Sequence, residues 1–427
     1  MIKIIDNEQD LNAFREALNE RGAVDNGKYL QTVVDILADV KANGDEAVLN
    51  YTKKFDNKNA TLDSLVATEE EMKEAFNSLD PELQTVLLTS KGRVEAYHKH
   101  QLRKTWIVED NPGEKLGQKI TPIRSVGVYV PGGKAAYPSS VIMNVMPAKV
   151  AGVEEIVMVT PAVNGEVKKS VLAAAYICGV TKLIKIGGAQ AIAALAYGTN
   201  LVPKVDKIVG PGNIFVALAK RMVFGTVGID SIAGPSEILI LADETANPKF
   251  VAADLLAQAE HDQLASGILV TTSKKLAEEA KVEVGNYYNN SIRKEILDSS
   301  IKNYSAIVLV PSFRDAINFA NEVAPEHLEI CVDNPFDYVD DIKNAGAIFL
   351  GHYTPEALGD YMAGPNHVLP TVKTSRFFSP LGVDDFIKKS SILNFTKEAL
   401  DKYNDKVARF ADEEGLQMHA ESVRVRK

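Results

Sequence analysis

The sequence is short of cysteine, of long apolar runs and of positive charge, and each shortage excludes a class of protein. Its 427 residues contain 2 cysteines, too few for a disulfide framework. No apolar run reaches the roughly 18–20 residues of a membrane span, and residues 1–6 lack a signal-peptide core. A net charge of −10 argues against nucleic acid as the main ligand. We therefore expect a soluble protein of the cytoplasm.

The chain alternates between strand-like and helix-like segments after a helical first hundred residues. Its length predicts more than one domain. From about Arg124, β-branched runs predict strands at 125–130, 155–160, 182–186, 207–209 and 237–241, and a second series at 267–271, 306–310, 328–332 and 347–350. The intervening segments predict helices at 167–178, 189–197, 213–224, 249–261, 274–288 and 313–323. Such alternation is typical of parallel sheets covered by helices. We predict an α/β fold of two Rossmann-like open-sheet domains with helical N-terminal and C-terminal extensions.

Four of the 7 histidines lie in segments whose composition favours a site: His261, His327, His367 and His419. Asn247-Pro248 is a helix start, and Gln258 and His261 then lie on one face. With Asp360 and His419 they form a nitrogen and oxygen set suited to zinc, with manganese or cobalt as substitutes. Alone, Gln258-x-x-His261 favours the polar end of a solvated helix, because the spacing is common.

Pro325-Glu326-His327 precedes a predicted strand. A carboxylate beside an imidazole forms a plausible acid/base pair. The alternative is an ordinary charged strand end. Four Gly-rich turns, at 131–133, 187–190, 210–213 and 234–236, follow or join strands, where ligands gather in open α/β sheets. Cys178 and Cys331 lie in apolar segments, which favours buried packing over nucleophilic roles.

At these residues the chain resembles the histidinol dehydrogenase family. The matching segments are 127–133, 187–199, 209–213, 233–237, 258–262, 325–329, the stretch around Asp360, 414–416 and 419–420. The resemblance implies two successive NAD-dependent oxidations of L-histidinol, through L-histidinaldehyde, to L-histidine.

The resemblance also implies site residues. One Zn²⁺ per subunit would be held by Gln258, His261, Asp360 and His419, which also contact substrate. Glu326 and His327 would be the acid/base pair, with His327 also binding substrate. Ser236 and Glu414 would bind substrate, and Tyr129, Gln190 and Asn213 would bind NAD. The family is a homodimer, so Glu414 and His419 would complete the partner's site.

The expected division has four parts. Residues 1–25 form a helical extension, 26–125 and 240–381 a discontinuous α/β domain, 126–239 a second α/β domain on the NAD side, and 382–427 a tail that crosses to the dimer partner. The chain departs from the family pattern at Val372-Lys373 and Phe378. Three rival functions stay open on the residues alone: an oxidoreductase with a covalent cysteine intermediate, a zinc hydrolase and a non-enzymatic nucleotide-binding protein.

Overall fold

Two six-stranded sheets, here sheet I and sheet II, organise the chain, and a three-stranded sheet III lies beside them. The computed structural model describes residues 2–21, 27–132 and 136–427. Gly133, part of one predicted ligand turn, lies outside the described residues.

Sheet I is parallel except at one edge. In spatial order its strands are β2 (Val66–Ala67), β7 (Lys182–Ile184), β6 (Glu155–Val159), β5 (Ser125–Tyr129), β8 (Lys207–Val209) and β9 (Gly228–Ile229). Only the short β2 runs antiparallel to its neighbour among the described strands of this sheet. After a polar first residue, each inner strand is apolar and buried, as expected for a sheet covered on both faces.

Sheet II is parallel throughout its described strands. In spatial order they are β1 (Lys3–Ile5), β12 (Ala306–Leu309), β11 (Ser266–Thr271), β10 (Glu237–Ala242), β13 (His327–Cys331) and β14 (Ala347–Leu350). Strands β5 to β9 of sheet I and strands β10 to β14 of sheet II have the same spatial order. In each sheet the third strand of the five is followed by the second, the first, the fourth and the fifth. The predicted α/β class is confirmed.

Sheet III is antiparallel and was not predicted. It consists of β15 (Ile387–Phe395), β4 (Glu114–Pro122) and β3 (Trp106–Asn111). The tail was expected to be helical from about residue 383. Its pairing with β4, a non-local contact that local composition does not reveal, makes residues 387–395 a strand instead.

Helices cover both faces of sheet I. Four belong to the first hundred residues: α2 (Gly27–Asn43), α3 (Asp45–Phe55), α4 (Glu69–Asn77) and α5 (Pro81–Lys99). The others are α6 (Pro138–Ala151), α7 (Lys169–Cys178), α8 (Gly188–Tyr197) and α9 (Ile214–Val223). One core combines α2, α3, α8 and α9, and the other combines α4 to α7. A single helix was predicted near residues 30–51, but Gly44 interrupts it with φ +54°.

Helices also cover both faces of sheet II. They are α1 (Glu8–Arg21), α10 (Pro248–Ala259), α11 (Lys274–Asn290), α12 (Lys294–Tyr304) and α13 (Phe313–Val323). After β14 follow α14 (Glu356–Leu358) and, in the tail, α15 (Lys397–Asp401), α16 (Asn404–Glu413) and α17 (Gln417–Arg424). Short 3₁₀ turns lie at Asp63–Leu65, Pro335–Asp341, Thr374–Arg376 and Val383–Phe386, and a π-helical turn at Gly359–Ala363. Among the described helices, none is long and apolar enough to cross a bilayer.

Core packing shows which sheet each of the N-terminal helices covers. Buried residues between 33 and 94 share cores with residues 126–227, whereas residues 2–18 share cores with 238–332. Helices α2 to α5 therefore cover sheet I, whereas α1 covers sheet II. Their apolar faces carry no signal of which sheet they will cover, since either offers the same aliphatic surface.

Gly210 follows β8 with φ +107°, and a Cβ there would lie 2.1 Å from the backbone oxygen of Tyr129. We expect Gly210→Ala to lower the free energy of unfolding by more than about 3 kcal/mol, because backbone strain and the displaced end of β5 add. Gly225→Ala is the matched control: φ is +96°, but nothing lies within 4 Å. It should cost about 1 kcal/mol. Denaturant titration measures both, and equal losses would show that the contact with Tyr129 is unimportant.

Candidate active site

A cleft of about 260 Å³ lies where the carboxyl ends of the strands of sheet I face the amino ends of the strands of sheet II. Sheet I contributes the turns after β5 and β8, with Pro131 and Gly210 in the wall. Sheet II contributes the residues just before β10 and β13, Ser236 and Glu326. Open α/β sheets commonly bind ligands at carboxyl ends of strands. Here only sheet I follows that rule, and sheet II presents its amino ends.

Strand register brings Glu326 and His327 to the cleft. Because β10 pairs with β13 from Ile238 opposite His327, Glu237 lies beside the Glu326-His327 dipeptide. The Glu326 carboxyl oxygen Oε2 accepts the N–H of Glu237 at 3.0 Å and lies 3.6 Å from His327 Nδ1. His327 Nδ1 lies 3.0 Å from the Glu237 carbonyl oxygen. The register and the segment just before β13 thus place both side chains in one cleft.

Burial shifts both groups toward their neutral forms. Burial and the charge of Asp360 raise the pKa of Glu326 well above its ordinary value, and Arg21 opposes the rise. Burial, with His261 and His367 nearby, lowers the pKa of His327 to about 3. Since Nδ1 faces a carbonyl oxygen, Nδ1 carries the proton of the neutral ring. Nε2 has no hydrogen-bond partner among the described residues, so it is free to accept a proton.

Gln258 and His261 lie at the end of α10 and line the cleft. Gln258 is 1% exposed, which excludes a solvated glutamine. Its hydrogen bonds favour the amide orientation in which the nitrogen donates to Glu356 Oε2 at 2.8 Å and the oxygen accepts the N–H of Glu237 at 3.0 Å. His261 follows the last helical residue, and its N–H donates to the Gln258 carbonyl oxygen.

Asp360 lies in the π-helical turn and also lines the cleft. Burial raises the pKa of its carboxyl group to about 6, although His261 opposes the rise. His367 Nδ1 lies 3.1 Å from the Asp360 carbonyl oxygen, and burial lowers the pKa of His367 to about 4. Three of the four expected metal ligands, Gln258, His261 and Asp360, therefore line one cleft.

Glu356 is a site residue that the sequence analysis missed. It is 3% exposed, and its carboxylate holds the Gln258 amide and lies 3.8 Å from His327 Nε2. In the described part of the chain, His327, Glu356 and Asp360 offer metal-ligand atoms that all lie within 4.8 Å of one another. This set shares only Asp360 with the expected ligands. A Glu just after a proline and four residues before Asp360 is too common a pattern to mark a site residue by itself.

The remaining expected substrate contacts divide into two groups. Ser236 lines the cleft between Gly234 and the start of β10. Glu414 and His419 lie in the tail, are exposed, and are absent from the described residues around the cleft of the same chain. A role for them therefore requires a second copy of the chain.

The three residues expected to bind NAD follow strands at the carboxyl edge of sheet I. The buried Tyr129 ends β5, and its hydroxyl oxygen accepts the N–H of Gly188 at 3.2 Å. Gln190 is buried in the first turn of α8. Asn213 caps α9, accepting the N–H groups of Phe215 and Val216. Asn213 directly follows Gly212 in the cleft wall.

Neither cysteine lies in the cleft wall that the described residues form. Cys178 is 3% exposed in a helix under sheet I, and burial raises the pKa of its thiol to about 12. Cys331 is 8% exposed near the end of β13, and burial, with Glu329 nearby, raises the pKa of its thiol. Both are protonated at neutral pH, so a covalent thiol intermediate has no support.

Val372-Lys373, where the sequence departs from the family pattern, lies beside the cleft. Val372 has φ +50° and Lys373 φ +64°, a left-handed conformation that a β-branched residue rarely adopts. The preceding Thr371 lines the cleft and accepts the N–H of Gly234 at 2.6 Å. The departure therefore falls on strained backbone that supports the turn before Ser236.

Comparisons with known sequences and structures find relatives that extend over nearly the whole chain. A sequence model of the family described as Histidinol dehydrogenase matches residues 19–427. The chain is 53% identical to the histidinol dehydrogenase of Clostridium acetobutylicum, over 100% of this chain and 99% of that protein. It is 52% identical to that of Aquifex aeolicus, over 98% and 97%. The crystal structure of histidinol dehydrogenase from Elizabethkingia anophelis superposes with a TM-score of 0.93 at 35% identity, covering 100% of this chain and 98% of that chain.

Proposed function

The chain belongs to the histidinol dehydrogenase family, oxidoreductases of histidine biosynthesis, and we propose that it oxidises L-histidinol to L-histidine through L-histidinaldehyde, reducing NAD at each step. The observation that carries the proposal is the buried pair Glu326 and His327 in the same cleft as Gln258, His261 and Asp360. An acid/base pair beside a nitrogen and oxygen donor set suits the oxidation of an amino alcohol that carries an imidazole.

His327 is the base of the first oxidation. Removing a hydride from the carbinol carbon requires loss of the hydroxyl proton, and the unpartnered Nε2 of a neutral His327 accepts it. The Nδ1 proton points to the Glu237 carbonyl oxygen, which fixes the ring in the tautomer that leaves Nε2 free. The hydride passes to the nicotinamide, so the substrate loses two electrons and becomes the aldehyde.

Glu326 activates water for the second oxidation. An aldehyde has no hydroxyl group on the carbon that must lose hydride, so water adds first. Glu326 takes one proton of that water, and the carbonyl oxygen takes back the proton that His327 received in the first step, which forms the hydrate and returns His327 to its neutral form. The hydrate then loses a hydride from the same carbon and a hydroxyl proton to His327, giving the acid. Only the ionised form of Glu326 can take this proton, and the burial that raises the pKa of Glu326 makes that carboxylate a stronger base. General acid–base assistance of this kind contributes about 10²–10⁴-fold.

Gln258, His261 and Asp360 would hold the zinc, together with the partner's His419. The donors fit: Glu356 binds the amide nitrogen of Gln258 and leaves its oxygen as the donor end, and buried carboxyl groups gather here with raised pKa values. A bound Zn²⁺ supplies a fixed point for the imidazole and amino nitrogens of the substrate.

NAD binding is assigned to Tyr129, Gln190 and Asn213. All three lie after strands at the carboxyl edge of sheet I, the usual place for a nucleotide in an open α/β sheet. The N–H of Gly188 already donates to the Tyr129 hydroxyl oxygen, so this amide is not available to the dinucleotide. Two buried free cysteines suit the reducing cytoplasm, where we place the enzyme.

A homodimer with shared sites accounts for the tail. Helices α16 and α17 pack mainly on each other, around Ala408, Ala411 and Ala420. Phe410 is 69% and Met418 72% exposed, which leaves apolar surface for a partner to cover. We propose that the partner's Glu414 and the partner's His419 complete each cleft.

The proposed function is tested by the NADH formed per L-histidinol consumed, with zinc present. We expect a ratio of two, because the aldehyde is oxidised before release. A ratio of one would show that the aldehyde escapes and would remove the role of Glu326. No NADH at all would return the zinc hydrolase and the nucleotide-binding protein to consideration.

Glu326→Gln should impair oxidation of L-histidinaldehyde by about 10²-fold or more and oxidation of L-histidinol much less, because only the second step needs activated water. Single-turnover assays with each substrate measure the two steps separately. Glu322→Gln, a surface carboxylate on α13, is the control and should leave both steps unchanged. Equal losses in both steps for Glu326→Gln would contradict the division of roles.

Mixing two inactive variants tests the shared site. Asp360→Asn removes a ligand from the body of one subunit, and His419→Asn removes one from the tail. After subunit exchange, an equal mixture should recover about one quarter of wild-type activity, because half of the dimers then contain one intact site. Each variant exchanged with itself is the control. Absence of recovery, despite exchange detected by mass spectrometry of tagged subunits, would place each site within one chain.

A further inference from the structure

Arg21 forms a buried ion pair behind the cleft, although it belongs to the first helix of the chain. Its guanidinium donates to Glu237 and, at 3.1 Å, to the carbonyl oxygen of Leu264. The two charged side chains are 3% and 5% exposed and lie 216 residues apart in sequence. Buried ion pairs add little net stability, because desolvation offsets the attraction. The pair therefore calls for an explanation in terms of geometry.

Glu237 contacts both proposed catalytic residues. Its N–H donates to the Glu326 carboxyl group at 3.0 Å, and its own carboxylate accepts the N–H of Glu326 at 3.3 Å. Its carbonyl oxygen faces His327 Nδ1 at 3.0 Å. One residue thus fixes the Glu326 side chain, the Glu326 backbone and the tautomer of His327.

Two of these contacts are made by the backbone of Glu237, and only the third is made by its side chain. Arg21 is the cation that holds this side chain in place. The carboxylate is divided between the Arg21 guanidinium and the N–H of Glu326. Without Arg21, a buried carboxylate lacks its counter-charge and must take a proton or turn away. Either change releases the backbone of Glu326, whose carboxyl group must meet the attacking water.

We propose that Arg21 is a positioning residue of the second oxidation, which acts through Glu237 to hold Glu326. The inference rests on the proposed function, since it assumes that Glu326 activates water. A displacement of about 1 Å in a catalytic group can cost on the order of 10²-fold in rate. The loss should appear in kcat for L-histidinaldehyde, and the KM for NAD should not change, because the NAD residues lie on sheet I.

The test compares Arg21→Met with Arg15→Met in the full-length protein with zinc. Arg15 lies on the same helix and pairs with Glu322 at the surface, with side chains 32% and 47% exposed. It therefore controls for anchoring of α1. We expect Arg21→Met to lower kcat for L-histidinaldehyde by roughly 10- to 100-fold. Arg15→Met should leave it unchanged, and Arg21→Lys should restore part of it. Equal effects at the two positions, or an effect on NAD affinity alone, would overturn the proposal.

A double-mutant cycle shows whether Arg21 acts through Glu237. If it does, Arg21→Met combined with Glu237→Gln should be no slower than Glu237→Gln alone, whereas independent effects multiply. Multiplying effects would overturn the proposal. If Arg21→Met does not fold, Arg21→Lys and Glu237→Gln complete the same comparison. The proposed function is tested on the wild-type protein, by the two NADH formed per L-histidinol. The variants test only the role of Arg21, so a failure of that role is distinguishable from a failure of the proposed function.

Discussion

Parallel pairing of β10 with β13 is the constraint on which the site depends. With Ile238 opposite His327, the residues just before both strands meet at one edge of sheet II. A shift by one residue would turn His327 to the other face of the sheet and remove Glu326 from the N–H of Glu237. The alternation along β13 opposes that shift, because it would place His327 and Glu329 in the apolar core that Leu328 and Ile330 now fill. The core of sheet II thus determines the geometry of a polar cleft at its edge.

An excess of buried carboxyl groups sets the chemistry of this cleft. Glu326, Glu356 and Asp360 have raised pKa values, chiefly because burial removes water from them. Asp254 and Glu329 continue the cluster behind the cleft, also with raised pKa values. Arg21 is the buried arginine that faces this cluster among the described residues. A site of this kind suits a divalent cation, whose charge offsets part of the cost of burying several carboxylates. It also suits a carboxylate base, because a raised pKa makes the carboxylate bind a proton more strongly.

Two sheets with the same strand order line one cleft with opposite ends of their strands. Sheet I offers carboxyl ends and Gly-rich turns, to which the NAD residues are assigned. Sheet II offers amino ends, with Ser236 and Glu326 just before their strands. This arrangement brings an assigned nucleotide region and an acid/base pair to one cleft without a long connecting loop. The tail is attached through β15 to sheet III, and its helices α16 and α17 leave the apolar side chains of Phe410 and Met418 exposed.

The sequence by itself determined the parallel strands, because β-branched runs and alanine-rich helices have different periods that can be recognised locally. Its resemblance to a family also predicted Gln258, His261, Glu326, His327 and Asp360 as site residues, and all five line one cleft. Tertiary structure alone decided that α2 to α5 cover sheet I, that residues 387–395 pair with β4, and that Glu356 and Arg21 reach the site. Those contacts join residues far apart in the chain, and their free energy comes from burial and charge pairing. Neither leaves a pattern in the local sequence.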